Sequence, residues 1–274
     1  MTDLIPLKQT CNKIRREIIE MVYRTGNTGA HLGGSLSMVE ILVALYSNFV
    51  TYDPKNPNSE SRDRVILSKG HAALALYPVL AEYGIIEQEL LQTFKQNGSK
   101  LGGHPSLNGL SGIEFSSGSL GQGLSYGVGV GLALKRKSNY SSKVYVILGD
   151  GECDEGSVWE SAMSASHYNL NNLIAIIDVN KIQYDGDTNS VMALEPFKEK
   201  WEYFGWEAHV VDGHDLNELI KMLEYSQKSK KPIVILAETI KGKGISFMEN
   251  NPKYHNAFLT QKMYEDAMNE LEKI

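Results

Sequence analysis

Two apolar runs in this chain each end in residues suited to binding a metal and a phosphate. Val144-Tyr145-Val146-Ile147-Leu148 is followed by Gly149-Asp150-Gly151, and Leu173-Ile174-Ala175-Ile176-Ile177-Asp178 leads into Asn180-Lys181-Ile182. Glycines on both sides of an aspartate let the backbone turn sharply off a strand and approach a phosphate closely, because no Cβ stands in the way. Asp150 is then a hard oxygen ligand at a strand's carboxyl end. An octahedral Mg2+ takes a few protein oxygens and fills its shell with phosphate oxygens and water. The Asp150 carboxylate, the Asn180 amide oxygen and the Ile182 main-chain carbonyl would suffice as metal ligands. Residues 155–168 between the runs read as a helix, so the two ligand loops lie at the ends of strands joined by a right-handed crossover and meet above a sheet.

Two other readings compete for the same residues. Gly-Asp-Gly is also simple turn chemistry, and the three residues alone leave that open. A dinucleotide fingerprint would need a third glycine at position 154, where the chain has Asp154. An aspartate between the first two glycines would also repel a pyrophosphate unless a cation lay between them, so the nicotinamide reading yields to the metal reading.

The elements that must position these loops alternate. Strands are expected at 64–67, 144–148, 173–178, 207–211 and 233–237, with helices at 7–23, 72–83, 120–137, 155–168 and 216–226. Ser37-Met38-Val39-Glu40 has the form of a capping box opening a further helix that runs to about Phe49, and residues 53–58 read as a surface loop. The alternation indicates an α/β fold, a mostly parallel sheet with helices on both faces and ligand loops at the strands' carboxyl ends. Gly127-Val128-Gly129-Val130-Gly131 is weak as a phosphate loop; it reads as a helix that packs closely on a neighbour, with subunit contact as the alternative.

Composition narrows the class. At 274 residues and 42% hydrophobic content the chain can bury a full core, and residues 1–274 are expected to form one large α/β domain. A net charge of -6 argues against nucleic acid as a main partner. No apolar stretch approaches the length of a membrane span, and Met1-Thr2-Asp3-Leu4-Ile5-Pro6 has no signal-peptide character, so the expected location is cytoplasmic. Cys11 and Cys153 make no disulfide framework, and Cys153 is expected to be an ordinary small residue.

Gly149-Asp150-Gly151 followed after twenty-eight residues by Asn180 resembles the thiamine-diphosphate motif. Further motifs, in family order, make the chain from about residue 10 to 256 similar to the N-terminal, diphosphate-binding part of a transketolase. They are Gly29-Ala30-His31-Leu32-Gly33-Gly34-Ser35-Leu36-Ser37, Leu67-Ser68-Lys69-Gly70-His71-Ala72, Gly103-His104-Pro105, Gly118-Ser119-Leu120-Gly121-Gln122-Gly123, and Lys241-Gly242-Lys243-Gly244 with His255 beyond. The resemblance implies a thiamine-diphosphate-binding fold, thiamine diphosphate and Mg2+ as cofactors (Ca2+ or Mn2+ as alternatives), and transfer of a two-carbon ketol unit from a ketose to an aldose, commonly as phosphates. It implies that Gly118, Ser119 and Leu120 meet the aminopyrimidine and that His71 and His255 lie near the diphosphate and reacting carbon. Asp150 and Gly151 belong to the metal-diphosphate loop, and Lys241 serves the diphosphate or substrate side, though a solvated lysine loop is the plain alternative for Lys241 and Lys243. His31 and His104 are implied as partners of substrate oxygens that assist proton movement, which makes His31, His71, His104 and His255 the catalytic candidates. His167, His209 and His214 match no motif and are expected to be structural or surface residues.

A whole transketolase adds a pyrimidine-binding domain, which carries the glutamate that protonates the aminopyrimidine, and a C-terminal domain. This chain therefore resembles the N-terminal subunit of a split transketolase, active with a partner that supplies the glutamate, with a heterotetramer as the expected assembly. Leu32 stands where the family often has proline, and Asn256 where it usually has glycine; both touch loop geometry and substrate choice. The rivals are half of a 1-deoxyxylulose-5-phosphate synthase-like enzyme and a noncatalytic regulatory subunit that retains the fold.

Overall fold

The computed structural model describes residues 4–137 and 141–273; residues 1–3 of the N-terminal stretch considered above lie outside them. The strands are β1 (Arg64–Leu67), β2 (Val144–Gly149), β3 (Leu173–Val179), β4 (Ile182–Gln183), β5 (Gly186–Asp187), β6 (Glu207–Asp212) and β7 (Ile233–Glu238). The helices are α1 (Ile5–Arg24), α2 (Gly33–Leu36), α3 (Val39–Asn48), α4 (Ala73–Glu82), α5 (Gln122–Arg136), α6 (Gly156–His167), α7 (Thr188–Val191), α8 (Phe197–Tyr203), α9 (Leu216–Ser226) and α10 (Gln261–Leu271). One all-parallel sheet has the order β1-β2-β3-β7-β6, while β4 and β5 form a small antiparallel pair just beyond β3.

Strand side chains alternate between faces, and the core divides accordingly. Val65, Leu67, Tyr145, Ile147, Ile174 and Ile176 pack with residues of α1, α3, α4 and α9. Their neighbours Ile66, Val146, Leu148, Ala175 and Ile177 face the other way, against α5, α6 and α8. Both faces are thus apolar and covered, which is why the strands read as continuous hydrophobic runs. Each Leu or Ile side chain buried here contributes about 1.5–3 kcal/mol.

Two expectations need restating. The helix anticipated over 7–23 runs from Ile5 to Arg24, with Pro6 in its first turn, where a missing N–H costs nothing. Ser37 and Glu40 do not form a capping box: α3 starts after Met38 with no side-chain cap. The Ser37 hydroxyl donates instead to Asp178 at 2.6 Å, and Glu40 pairs with Arg15. Both side chains are thus drawn into buried charged networks, Ser37 as one of several donors to Asp178, instead of serving a local cap.

α5 crosses the sheet closely at Gly127, where a Cβ would come within 2.5 Å of Val146 Cγ2. Gly129, two residues on, is exposed and has no protein atom within 4 Å of where a Cβ would be. The close packing expected of the glycine run therefore belongs to one side of it. Cys11 and Cys153 are both buried and free.

Candidate active site

The carboxyl ends of β2 and β3 open into a cleft of about 390 Å3. His31, His71, His104, Gly118, Leu120, Asp150, Gly151, Asn180, Ile182, Lys241 and His255 all line it. Ser119 is exposed and lies outside the lining, so of the anticipated residues it alone is not brought to the cleft. Gly149 borders open space, for a Cβ there would meet no protein atom within 4 Å, whereas a Cβ on Gly151 would be 2.8 Å from Gln183 Cβ.

The β2–β3 corner presents oxygen donors. Asp150, 5% exposed, accepts from the Gly151 N–H at 2.9 Å and the Lys181 N–H at 2.6 Å. Burial, helped by the nearby Asp178 charge, pushes its carboxyl up to about 6 against the pull of those N–H groups. Asn180 donates its amide to Asp178 at 3.0 Å, and its Oδ1 accepts from the Ile182 N–H at 3.2 Å. The Ile182 carbonyl accepts from the Lys241 ammonium at 2.6 Å. A positive group therefore already sits on one of the three anticipated ligands. Among the described residues no group of three or more His, Cys, Asp or Glu is arranged to hold a metal. The donor set at this corner is instead one carboxylate, one amide and one carbonyl, all oxygen, which suits a hard divalent cation that keeps phosphate and water ligands.

Beneath the corner lie two buried carboxylates that sequence reasoning did not single out. Asp178, fully buried at the end of β3, accepts from Lys69, Ser37, Asn180 and Thr239. Burial works against its charge, but Lys69, Ser37 and Thr239 outweigh it and hold the carboxyl below its ordinary range. Glu152 accepts from the Ser68 hydroxyl, from the Gly121 N–H at 2.9 Å and from the Gly149 N–H at 3.1 Å. Its burial raises its pKa, with those donors opposing. One carboxylate thus ties together the loops after β1 and β2 and the start of α5. The available signal was an acid ending an otherwise apolar run at Asp178, and a lysine inside a motif at Lys69.

Four histidines, supplied by three loops and the 3-10 turn Gly70–Ala72 after β1, converge. The His31 ring centroid lies 5.8 Å from His71, 5.3 Å from His104 and 5.5 Å from His255, and His71 lies 5.5 Å from His255. Burial, then neighbouring cations and imidazoles, lowers all four: His31 and His255 to about 4, His71 well below its usual value, and His104 in the same direction. At neutral pH each is a neutral imidazole with one N–H donor and one lone pair, able to hold or pass a proton without adding charge. His255 Nδ1 accepts from Lys241 at 3.1 Å. Lys241, lowered to about 8 by burial and by Lys69, is a cation in contact with both His255 and the Ile182 carbonyl of the oxygen-donor corner. Of the histidines set aside, His167 is exposed, but His214 is bonded into the interior.

Residues 7–271 match the family model described as transketolase, thiamine diphosphate binding domain. The chain belongs to the transketolase family. It is 43% identical over 270 residues to a 6-deoxy-6-sulfo-D-fructose transketolase subunit of Clostridium sp. (strain MSTE9), covering 98% of this chain and 97% of that one. It is 40% identical over 269 residues to an apulose-4-phosphate transketolase subunit of Phocaeicola vulgatus, covering 97% and 93% of the two chains. The crystal structure of Campylobacter jejuni transketolase superposes with a TM-score of 0.92 at 33% identity, covering 99% of this chain and 43% of that one. Nearly the whole of the subunit-type transketolases is therefore matched, but less than half of the solved transketolase. The chain carries the family's thiamine diphosphate binding fold, and its chemistry is transketolase-type ketol transfer. No helix among the described residues is long and apolar enough to cross a membrane.

Proposed function

We propose that this chain is the diphosphate-binding subunit of a two-chain transketolase and that the cleft is half of its active site. The observation that carries the reading is the convergence of His31, His71, His104 and His255 beside the oxygen donors of Asp150, Asn180 and Ile182 in one cleft. Asp150, the Asn180 amide oxygen and the Ile182 carbonyl would hold Mg2+, with Ca2+ or Mn2+ as substitutes, and the metal would hold the cofactor's diphosphate. Lys241, His71 and His255 face phosphate oxygens, while Gly118 and Leu120, which line the cleft, meet the aminopyrimidine; Ser119, outside the lining, is left out of the proposed contacts. When bound, thiamine diphosphate supplies the electron sink that makes cleavage beside a ketose carbonyl accessible. The chain's own task is positioning, charge and proton handling. Neutral His31 and His104 hydrogen-bond substrate oxygens and carry protons between them, and Lys241 balances the diphosphate's negative charge.

The glutamate for the aminopyrimidine and much of the sugar-phosphate recognition come from a partner chain, with two copies of each chain in a heterotetramer. Residues 1–274 act as one domain of a cytoplasmic enzyme, and the substrates are anionic sugars of the pentose-phosphate type. Both subunit-type relatives are named for sugars that carry a sulfonate or phosphate, which favours an anionic ketose donor here.

The test is ketol transfer by the purified chain with Mg2+ and thiamine diphosphate, alone and with its partner, with ketose phosphates as donors. Turnover is expected only from the pair. Robust turnover by the chain alone would sink the shared-site reading, and turnover from pyruvate in place of a ketose phosphate would favour the deoxyxylulose phosphate synthase rival.

A further inference from the structure

Lys241 enters the cleft on the segment 239–244, which is fixed at nearly every residue. The Thr239 hydroxyl donates to Asp178, the Gly242 N–H to the Gly33 carbonyl at 3.0 Å, and the Asn250 N–H to the Lys241 carbonyl at 2.8 Å. Two further anchors come from side chains outside the cleft lining. The Ile240 N–H donates to His214 Nε2 at 2.9 Å, and Arg15 Nε donates to the Lys243 carbonyl at 3.0 Å.

Because His214 Nε2 accepts, its proton must sit on Nδ1, which lies 3.0 Å from Glu40 Oε2. Glu40 is also held by the Arg15 guanidinium at 2.7 and 2.8 Å. Burial alone would raise Glu40, but Arg15 and His214 hold its carboxyl down at about 2, so it stays charged and fixes one tautomer of His214. None of the three lines the cofactor cleft. Their two main-chain bonds go to Ile240 and Lys243, on either side of Lys241 and Gly242.

Buried ion pairs of this kind contribute little net stability, whereas breaking one from a single side is costly. What this network supplies is position. We infer that His214, backed by Glu40 and Arg15, is a positioning residue of the cofactor site, holding the main chain at Ile240 so that the Lys241 ammonium is directed into the cleft beside His255. The inference rests on Lys241 serving the cofactor, as proposed above. It gives a role to a histidine that matches no family motif and to a glutamate that resembles a helix cap in the sequence.

The experiment is a titration of the reconstituted two-chain complex with thiamine diphosphate at saturating Mg2+, read by tryptophan fluorescence, with thermal unfolding of each variant alongside. His214→Leu is expected to weaken cofactor binding by about tenfold, an error-of-position effect rather than loss of a ligand. His214→Gln, whose amide can accept from Ile240 and donate to Glu40, is expected to stay within about threefold of wild type. Lys241→Met weakens binding, and adding His214→Leu to it changes binding by less than about twofold, because the two act through one contact. If the effects of His214→Leu and Lys241→Met multiply, or if His214→Leu lowers the melting temperature with affinity unchanged, the network is only structural and the inference falls. If Lys241→Met leaves affinity unchanged, the reading of Lys241 falls first and the inference with it. Should His214→Leu fail to assemble, Glu40→Gln carries the same double-mutant test with His214 still in place.

Discussion

At the residue scale, the cleft holds its imidazoles neutral chiefly by burying them, with neighbouring cations and imidazoles adding to the effect. His31 is faced by His104, Lys95 and Lys241, and burial is the largest cause of its fall from 6.5 to about 4. A histidine with a depressed folded pKa binds fewer protons folded than unfolded between those values, so it costs stability as pH falls through that window. The stability of the wild-type chain relative to His31→Gln is therefore expected to fall as pH drops from 6.5 towards 4. Thermal unfolding of both proteins across that range checks it, and a difference that stays flat or rises would contradict it. The buried Lys69–Asp178 pair gives a second residue-scale prediction. Lys69→Met leaves a fully buried carboxylate without its cation and is expected to cost about 3–5 kcal/mol in urea unfolding. Adding Asp178→Asn to it should recover part of that loss. That the four motif histidines come together with Asp150, Asn180 and Ile182 at one cleft was legible in the sequence because motif order marked them. Asp178, Glu152 and His214 were not, because their roles depend on partners far along the chain: Ser37 lies 141 residues from Asp178, and Glu40 lies 174 from His214. Local spacing cannot report such pairs.

At the scale of elements, α5 makes the point with two glycines. Gly127 presses on Val146, so Gly127→Ala overpacks the helix–sheet contact and is expected to cost about 1–3 kcal/mol. Gly129 faces outward with space around it, so Gly129→Ala is expected to stabilise the chain by about 1 kcal/mol through helix propensity. Denaturant titration of the two variants separates them; equal effects would mean that α5 does not sit on β2 as described. Strand and helix positions along the main sheet followed from hydrophobic periodicity, with ends shifted by a residue or two. The failed cap at Ser37 and Glu40 came from the same source as the missed site residues. A hydroxyl and a carboxylate three residues apart satisfy the capping pattern, yet both were claimed by buried groups from other elements. The short pair β4 and β5 and the helices α7 and α8 carried too little periodicity to stand out, whereas α10 does carry Met263, Tyr264, Ala267, Met268 and Leu271 at helical spacing.

At the scale of the whole molecule, a parallel sheet covered on both faces gathers loops from β1, β2, β3 and β7 at one end, where residues from position 31 to 255 meet in a single cleft. The fold class was legible because alternating strands and helices admit few arrangements. What the sheet presents is a corner of oxygen donors with neutral imidazoles beside it, the arrangement proposed above to hold a metal and a diphosphate. The most direct measurement is thiamine diphosphate binding by the reconstituted complex in the presence of Mg2+, wild type against Asp150→Ala. The account predicts that the substitution abolishes saturable binding and ketol transfer together while the chain stays folded. Unchanged binding and turnover in Asp150→Ala would contradict the assignment of this cleft.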